Sequence, residues 1–277
     1  MVARLAELPN VRFRPGLATT ALLTRETEAR VTLSDGSRVS ARLLIAADGR
    51  ASAMREALGI PVKTIRYGQK ALAFTVSHPI PHRNVSTEIH RSGGPFTLVP
   101  LPDRDGLPAS AIVWMETGPE VAGLAALPVP EFEAAMTARS CHVLGPLSLA
   151  SRRSVWPIIS QIAARMAGER CALLAEAAHV VPPIGAQGLN MSLGDLSVLL
   201  DLATASPASL GSAAMLDAYH RRRHANVQAR VIGIDALNRA SMLGGQTLRD
   251  ARAGALNALY ALAPVRKTLM KVGLGVR

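Results

Sequence analysis

The chain has 277 residues, 49% hydrophobic and 18% charged, so it can bury a sizeable core as one large domain or two small ones, and disorder is excluded as its general state. Its net charge of +11 would suit a nucleic-acid partner, but only 3% of the residues are aromatic, too few for a surface that stacks bases, and no nucleic acid is expected. From Ala208 to Arg277 there are eleven basic residues against three acidic ones, so the tail alone carries +8.

Along the chain, Met1 to Asn10 lacks the charged-then-apolar layout of a signal peptide. Residues 10–48 read as strands. Val11 to Arg14 alternates, and Ala29 to Leu33 and Arg38 to Ala41 flank Ser34-Asp35-Gly36-Ser37, a tight-hairpin sequence. Leu43 to Ala47 is an unbroken apolar run, as in a strand buried on both faces, and ends at Asp48-Gly49. Ser52 fits as the N-cap of a short helix through Leu58, with Gly59 as its stop. Between Lys70 and Glu116, the runs Ala71 to Ser77, Val85 to His90, Phe96 to Leu101 and Ala109 to Met115 are separated by turn residues, which predicts an antiparallel sheet. A helix near Glu131 to Arg139, a strand over Ser151 to Ile159 and a buried strand over Cys171 to Ala175 follow. From Gly188 onward the chain reads as helix, broken near Ala205 to Ser209 and again around Gly244-Gly245. Cys141 and Cys171 read as two reduced core thiols, too few for a disulfide framework or a metal cluster, and no metal is expected.

The stretch Cys171 to Leu200 carries the chemistry. A buried strand delivers Glu176 at its carboxyl end, a Pro-Pro and glycine-containing loop follows, and a long helix begins near Gly188. Ligands of open α/β sheets bind outside such strand ends. Gly185 and Gly188 let backbone approach a flat ligand, and the first N–H groups of the helix, at Gly188, Leu189 and Asn190, would favour a ring that becomes anionic on reduction.

The segment AEAAHVVPPIGAQGLNMSLGD (175–195) resembles the second flavin motif of the flavin-dependent aromatic hydroxylases, and LLIAADGRASAMREALGI (43–60) resembles their Asp-Gly motif. Within that family, Tyr67 to Ala71, the Gly94-Pro95 stretch through Leu101, and Tyr219 to Arg239 resemble the ubiquinone-biosynthesis branch. The resemblance implies an α/β (α+β) fold: an incomplete Rossmann-like FAD-binding domain over 1–62 and 150–205, an antiparallel β-sheet substrate domain over 63–149, and C-terminal helices over 206–277. It implies FAD as cofactor, NAD(P)H as reductant and hydroxylation of a hydrophobic aromatic substrate, a prenylated ubiquinone precursor, lying between the loop 182–188 and the sheet. Residue by residue, it implies that Glu176 holds the flavin's ribityl chain, that Pro183 lies against the ring system, that Gly188, Leu189 and Asn190 offer N–H groups to its pyrimidine oxygen, and that Asp48, Gly49 and Arg55 contribute to pyrophosphate and nicotinamide cofactor binding. No side chain is assigned to catalysis.

Plainer readings stand beside these. Glu176 could be an exposed loop acid and Arg55 a surface residue of its helix; His179 reads as a structural, hydrogen-bonded histidine, and Arg221 to Arg223 as a solvated helix face. Two departures from the family pattern stand out. Its Gly-Asp pair is Ala175-Glu176 here, and no G-x-G-x-x-G occurs, so the chain reads as an N-terminally incomplete hydroxylase with weak or absent flavin binding by itself, the alternative being a non-catalytic remnant or a membrane-surface or partner-binding module of the same fold. Leu256, Leu259, Tyr260 and Ala263, followed by Arg266, Lys267 and Lys271, would suit either an anionic membrane surface or a helix packed on the core. With no apolar run near the ~20 residues of a spanning helix, a cytoplasmic chain, peripheral on the inner membrane face, is expected. Partner subunits of a ubiquinone-synthesis complex are expected alongside.

Overall fold

A computed structural model describes residues 2–91, 93–242, 264 and 267. In chain order the elements are α1 (Val2–Ala6), β1 (Thr19–Thr24), β2 (Ala29–Leu33), β3 (Arg38–Ala41), β4 (Leu44–Ala46), α2 (Ala53–Ala57), β5 (Val62–Ser77), β6 (Thr87–His90), β7 (Pro95–Arg104), β8 (Leu107–Thr117), α3 (Gly118–Ala126), α4 (Val129–Arg139), β9 (Ser148–Leu149), β10 (Ser154–Ala163), β11 (Ala167–Gly168), β12 (Cys171–Leu173), β13 (His179–Val180), α5 (Gln187–Ala205) and α6 (Ala213–Met242). The Gly244-Gly245 break and the tail residues Leu256, Leu259, Tyr260, Ala263, Arg266 and Lys271 lie outside the described residues. The chain divides into two compact units, the first comprising Met1–Lys63, Ala163–His179 and Ser192–Asn226, the second Thr64–Ile162, Val180–Met191 and Val227–Arg277.

The first unit holds two small sheets. In one, β1, β2 and β3 pair antiparallel in sequence order. Its second turn is the hairpin foreseen at Ser34 to Ser37: Gly36 takes φ 80°, and Asp35 Oδ1 accepts from the Ser37 amide at 2.9 Å. In the other, β12 lies between β11 and β4 and runs parallel to β4, pairing Cys171 with Leu44 and Leu173 with Ala46. All three residues of β12 are buried, as their apolar pattern predicts. Burial pushes the Cys171 thiol up to about 12, which leaves it protonated and unreactive.

Three expectations are corrected here. Val11 to Arg14 forms no strand; with both ends exposed, its alternation has no buried face to serve. The Leu43 to Ala47 run yields a short edge strand in which Ile45 is 48% exposed, because β4 has a neighbour on one side only. Cys141 is exposed, with φ 54°, in the turn after α4.

The second unit is built on a seven-stranded sheet of order β13-β10-β5-β8-β7-β6, with β9 pairing β5. The antiparallel pairs β5/β8 and β8/β7 match the foreseen strands. Strand alternation gives the sheet two different faces. Leu72, Phe74, Phe96, Leu98, Ile112 and Trp114 point to one side and pack with Val121 of α3 and with Phe132 and Met136 of α4. Phe74 meets Phe132 edge-to-face at 5.1 Å, and Phe96 meets Trp114 likewise at 5.4 Å. Helix α3 was not foreseen. In the structure Thr117 Oγ1 caps it by accepting from the Glu120 amide, and proline is tolerated in a first helical turn. On the opposite side of the sheet, Ala71, Met115 and Ile158 surround Ile184, with Tyr67 and Val113 packed beside them.

Candidate functional site

In the first unit, two carboxylates follow adjacent parallel strands. The backbone pairing of Leu173 with Ala46, extended by the Leu174 amide donating to the Ala46 carbonyl at 2.9 Å, brings the carboxyl ends of β4 and β12 side by side, with Asp48 two residues beyond one and Glu176 three beyond the other. This is the end of a parallel sheet at which ligands bind.

Asp48 organises its own motif. One of its carboxylate oxygens accepts from Ser52 Oγ at 2.6 Å and the other from the Met54 amide at 3.1 Å, while Ser52 Oγ accepts from the Arg55 amide at 3.0 Å and caps α2. Gly49 turns the chain between them with φ 86°, a left-handed conformation that favours glycine. Arg55 is not a surface residue of its helix. It is 8% exposed, and its guanidinium donates to the carbonyls of Ala177 at 2.9 Å and Arg50 at 3.0 Å. The bond to Ala177 ties the Asp-Gly motif to the turn that carries Glu176.

That turn, Ala175 to Ala177, is a single 3₁₀ turn in which Glu176 is exposed and Ala177 buried. It is held from below by Asp195 of α5, which is wholly buried. Asp195 Oδ2 accepts from the Ala175 amide at 3.1 Å and pairs with His179 Nε2 at 2.7 Å, while Oδ1 accepts from Arg223 Nε at 2.8 Å. His179 is the hydrogen-bonded residue foreseen. Arg223 corrects the solvated-face reading of Arg221 to Arg223: the first two are exposed, but Arg223 is 7% exposed. Asp195 and Arg223 were missed, although both sit in buried stripes at helical spacing, Asp195 between Met191 and Leu199, and Arg223 between Tyr219 and Val227.

Ala175 itself has φ 54°, where a Cβ costs roughly 1–2 kcal/mol. Restoring glycine with Ala175→Gly removes that strain but loosens the unfolded chain. A net gain of about 0.5–1 kcal/mol in urea unfolding is expected; a loss of stability would show that the turn is unstrained.

In the second unit, the loop entering α5 is anchored by Ile184, which is buried on the sheet, while Pro183 and Gly185 on either side of it are exposed. Gly185 and Ala186 take φ 63° and 51° in succession, and α5 starts at Gln187. Gln187 braces the turn, donating to the Gly185 carbonyl at 3.0 Å and accepting from Arg230 at 2.9 Å. Gly188 and Leu189 are exposed and Asn190 partly so, and a Cβ placed on Gly188 would meet nothing within 4 Å. The structure thus groups Asp48, Gly49, Arg55 and Glu176 within one unit, and Pro183, Gly185, Gly188, Leu189 and Asn190 within the other.

Two polar pairs join α6 to the start of β5 and were not foreseen. Tyr67 donates to Asp235 Oδ1 at 2.7 Å and lies 2.7 Å from Ser160 Oγ; burial and the neighbouring carboxylate push its hydroxyl up to about 12. Two residues on, Gln69 Oε1 accepts from Asn238 Nδ2 at 2.8 Å. Among the described residues no helix is long and apolar enough to cross a membrane.

Comparison with known proteins agrees with these motifs. A family profile described as an FAD binding domain matches residues 1–232. The ubiquinone hydroxylase UbiL of Rhodospirillum rubrum is 33% identical over 99% of this chain and 64% of its own length. The mitochondrial ubiquinone biosynthesis monooxygenase COQ6 of Mus musculus is 28% identical over 87% of this chain and 57% of its own length. The chain therefore spans less than two thirds of these relatives. Among solved structures, the p-nitrophenol 4-monooxygenase PnpA of Pseudomonas putida superposes with a TM-score of 0.78 at 20% identity, over 100% of this chain and 71% of that one. The Diels-Alderase PyrE3 gives 0.75 at 23% identity, over 97% and 57%. At such identities the likeness is one of fold, and a monooxygenase and a Diels-Alderase that share it show that this fold serves more than one reaction. On the profile match and the likeness to UbiL along nearly its whole length, the chain belongs to the FAD binding domain family, that of the FAD-dependent hydroxylases which its two motifs resemble.

Proposed function

We propose that this chain is the part of an FAD-dependent monooxygenase that holds the ring end of the flavin and the aromatic substrate, with NAD(P)H as reductant and a prenylated ubiquinone precursor as substrate. The observation that carries the reading is that the carboxyl ends of β4 and β12 lie side by side, with the Asp48-Gly49 turn following one and the exposed Glu176 following the other. The residues present fit FAD. Glu176 is an exposed acceptor on a turn pinned by Asp195 and Arg55, suited to the hydroxyls of a ribityl chain. Gly185, Gly188 and Leu189 are exposed residues at the start of α5, where a helix N-terminus and its dipole favour a reduced, anionic ring. Asp48 and Arg55 act by holding the Asp-Gly turn in shape, because their polar atoms are spent on Ser52, Met54, Ala177 and Arg50.

When bound, FAD supplies the reduction of oxygen and the transfer of one oxygen atom to the ring. The protein's part is to bind, orient and exclude water. A prenylated substrate resides in a membrane, and the +8 of the tail would bring the chain to an anionic lipid surface.

Titration of FAD fluorescence with the purified chain should show weak but saturable quenching. Glu176→Ala should raise the dissociation constant about 5- to 10-fold, the worth of one ordinary hydrogen bond. Saturable quenching that Glu176→Ala leaves unmoved rejects the reading.

A further inference from the structure

The mid-chain sheet has one face covered by α3 and α4 and another that is largely apolar and open. On β6, Ile89 packs into the helix-side core together with Phe96 and Leu98 of β7. Strand alternation therefore puts Glu88 and His90, on either side of Ile89, on the opposite face, and Thr97 with them. Cross-strand pairing aligns Glu88, Thr97, Val113 and Ala73 in one row of that face. None of the four is buried, and Val99, two residues along β7 from Thr97, is 40% exposed, so the row is open to a ligand. On β5 and β8 it runs beside Ala71 and Met115, which receive Ile184 of the loop entering α5.

At the β6 edge of this surface stand two charged side chains that nothing above employs. His90 Nε2 lies 2.8 Å from Glu88 Oε1, and the two side chains are 27% and 25% exposed. A carboxylate offers only acceptors, so at this separation Nε2 carries the hydrogen and Nδ1 keeps its lone pair. Among the described residues no protein group donates to that lone pair. Two cations flank the strand. Arg91 follows His90 in the chain and is exposed. Arg139 of α4 lies on the helix-covered side, where it donates to the Ile89 carbonyl at 3.2 Å and sits 3.6 Å from Glu116 Oε1. An ion pair as exposed as Glu88–His90 adds little to stability, so its substitutions can be read for function.

We propose that His90 is the base that takes the proton from a ring hydroxyl of the aromatic substrate, with Glu88 as its positioning residue. This deepens the preceding reading and rests on it: Thr97, Val113 and Ala73 form the floor under the ring, and the pair at the edge meets its oxygen substituent. The substrate O–H bond breaks as an N–H bond forms at His90 Nδ1, and the phenolate oxygen keeps the electron pair. The Glu88 carboxylate offsets the charge of the imidazolium, which makes the imidazole a stronger base, and the exposed ring returns its proton to water. A phenolate is more electron-rich than a phenol and so accepts an oxygen atom at a ring carbon more readily. Strand β6 lies two strands from β8, about 10 Å at the ordinary spacing, so a substituted ring over Thr97 and Val113 can touch both the pair and the loop that carries Ile184.

The chromogenic phenol 4-nitrophenol, whose phenolate is yellow, tests this on the full chain without any turnover. At a pH where the free probe is half ionised, saturating protein should raise the phenolate fraction to about nine-tenths, a rise of about 10-fold in the probe's acid dissociation constant. His90→Gln keeps the protein's net charge with His90 neutral and should abolish the rise, which separates a base at this position from general attraction of an anion to a cationic chain. Glu88→Gln should reduce it to about 2- to 3-fold, and Thr97→Val should leave it in place. A second measurement needs no variant: in histidine-labelled wild type the His90 Nδ1 resonance should move from that of a bare lone pair to that of an N–H when 4-nitrophenol binds, and should keep its lone-pair position with the methyl ether 4-nitroanisole. No saturable binding, binding without added yellow, a rise that survives His90→Gln, or an unmoved Nδ1 resonance overturns the assignment. FAD quenching on the same preparation keeps the two readings apart. Quenching that Glu176→Ala weakens, together with an unmoved phenolate fraction, sinks this inference and leaves the flavin reading standing.

Discussion

Replacing Asp195 with alanine is expected to cost the chain about 3–5 kcal/mol, seen as a large fall in the urea midpoint, because it strands a buried cation. The carboxylate has no exposed surface and takes hydrogen bonds at both oxygens, from Arg223 Nε on one side and from His179 Nε2 and the Ala175 amide on the other. Without it, the Arg223 guanidinium loses its counter-charge in the interior. The Ala175 amide also loses its acceptor, so the turn presenting Glu176 should loosen. The double substitution Asp195→Ala with Arg223→Met removes the uncompensated charge and should recover a substantial part of the loss. A single variant that loses less than about 1 kcal/mol, or a double variant no better than the single, would show that the buried pair is not what holds this turn.

Gly211→Ala should be nearly as damaging, at about 2–5 kcal/mol. Gly211 precedes α6 with φ 76°, and a Cβ there would lie 2.0 Å from the backbone carbonyl oxygen of Arg42. Two costs combine. A left-handed non-glycine residue costs roughly 1–2 kcal/mol, and pushing backbone apart in a packed region costs about 1–3 kcal/mol more. Gly36 supplies the control. Its φ is 80°, but nothing lies within 4 Å of the position its Cβ would take, so Gly36→Ala should cost only the conformational part. Urea unfolding of the two variants side by side separates strain from collision, and equal losses would show that the Arg42 carbonyl yields freely.

Much of this protein could be read from local pattern. The Asp35-Gly36 hairpin, the Ser52 cap and Gly59 stop of α2, the antiparallel strands between Lys70 and Glu116 and the start of α5 are written in short-range chemistry: a turn that demands positive φ, a hydroxyl that caps, an alternation that faces a core. The two flavin motifs are contiguous stretches of this kind, and so the family was legible too. Periodicity says that a residue lies on a buried stripe without saying what it meets there. Arg223 continues the stripe of Tyr219 and Val227, and Asn238 follows Ile234 by four residues, yet neither spacing discloses a partner.

Those partners come from segments far apart in the chain. The parallel pairing of Leu44 to Ala46 with Cys171 to Leu173 puts Asp48 next to the Glu176 turn, and it depends on which apolar runs are buried together, a choice made by the whole core. The same packing decides that Ile45 lies on an edge strand, that Arg55 reaches Ala177, and that Gln69 meets Asn238. The sequence by itself determined the turns, the caps, the strand faces and the flavin motifs, because each depends on neighbours within a few residues. Only the tertiary structure decided which charges are buried and paired, because desolvation and hydrogen-bond satisfaction depend on the three-dimensional surroundings of each group.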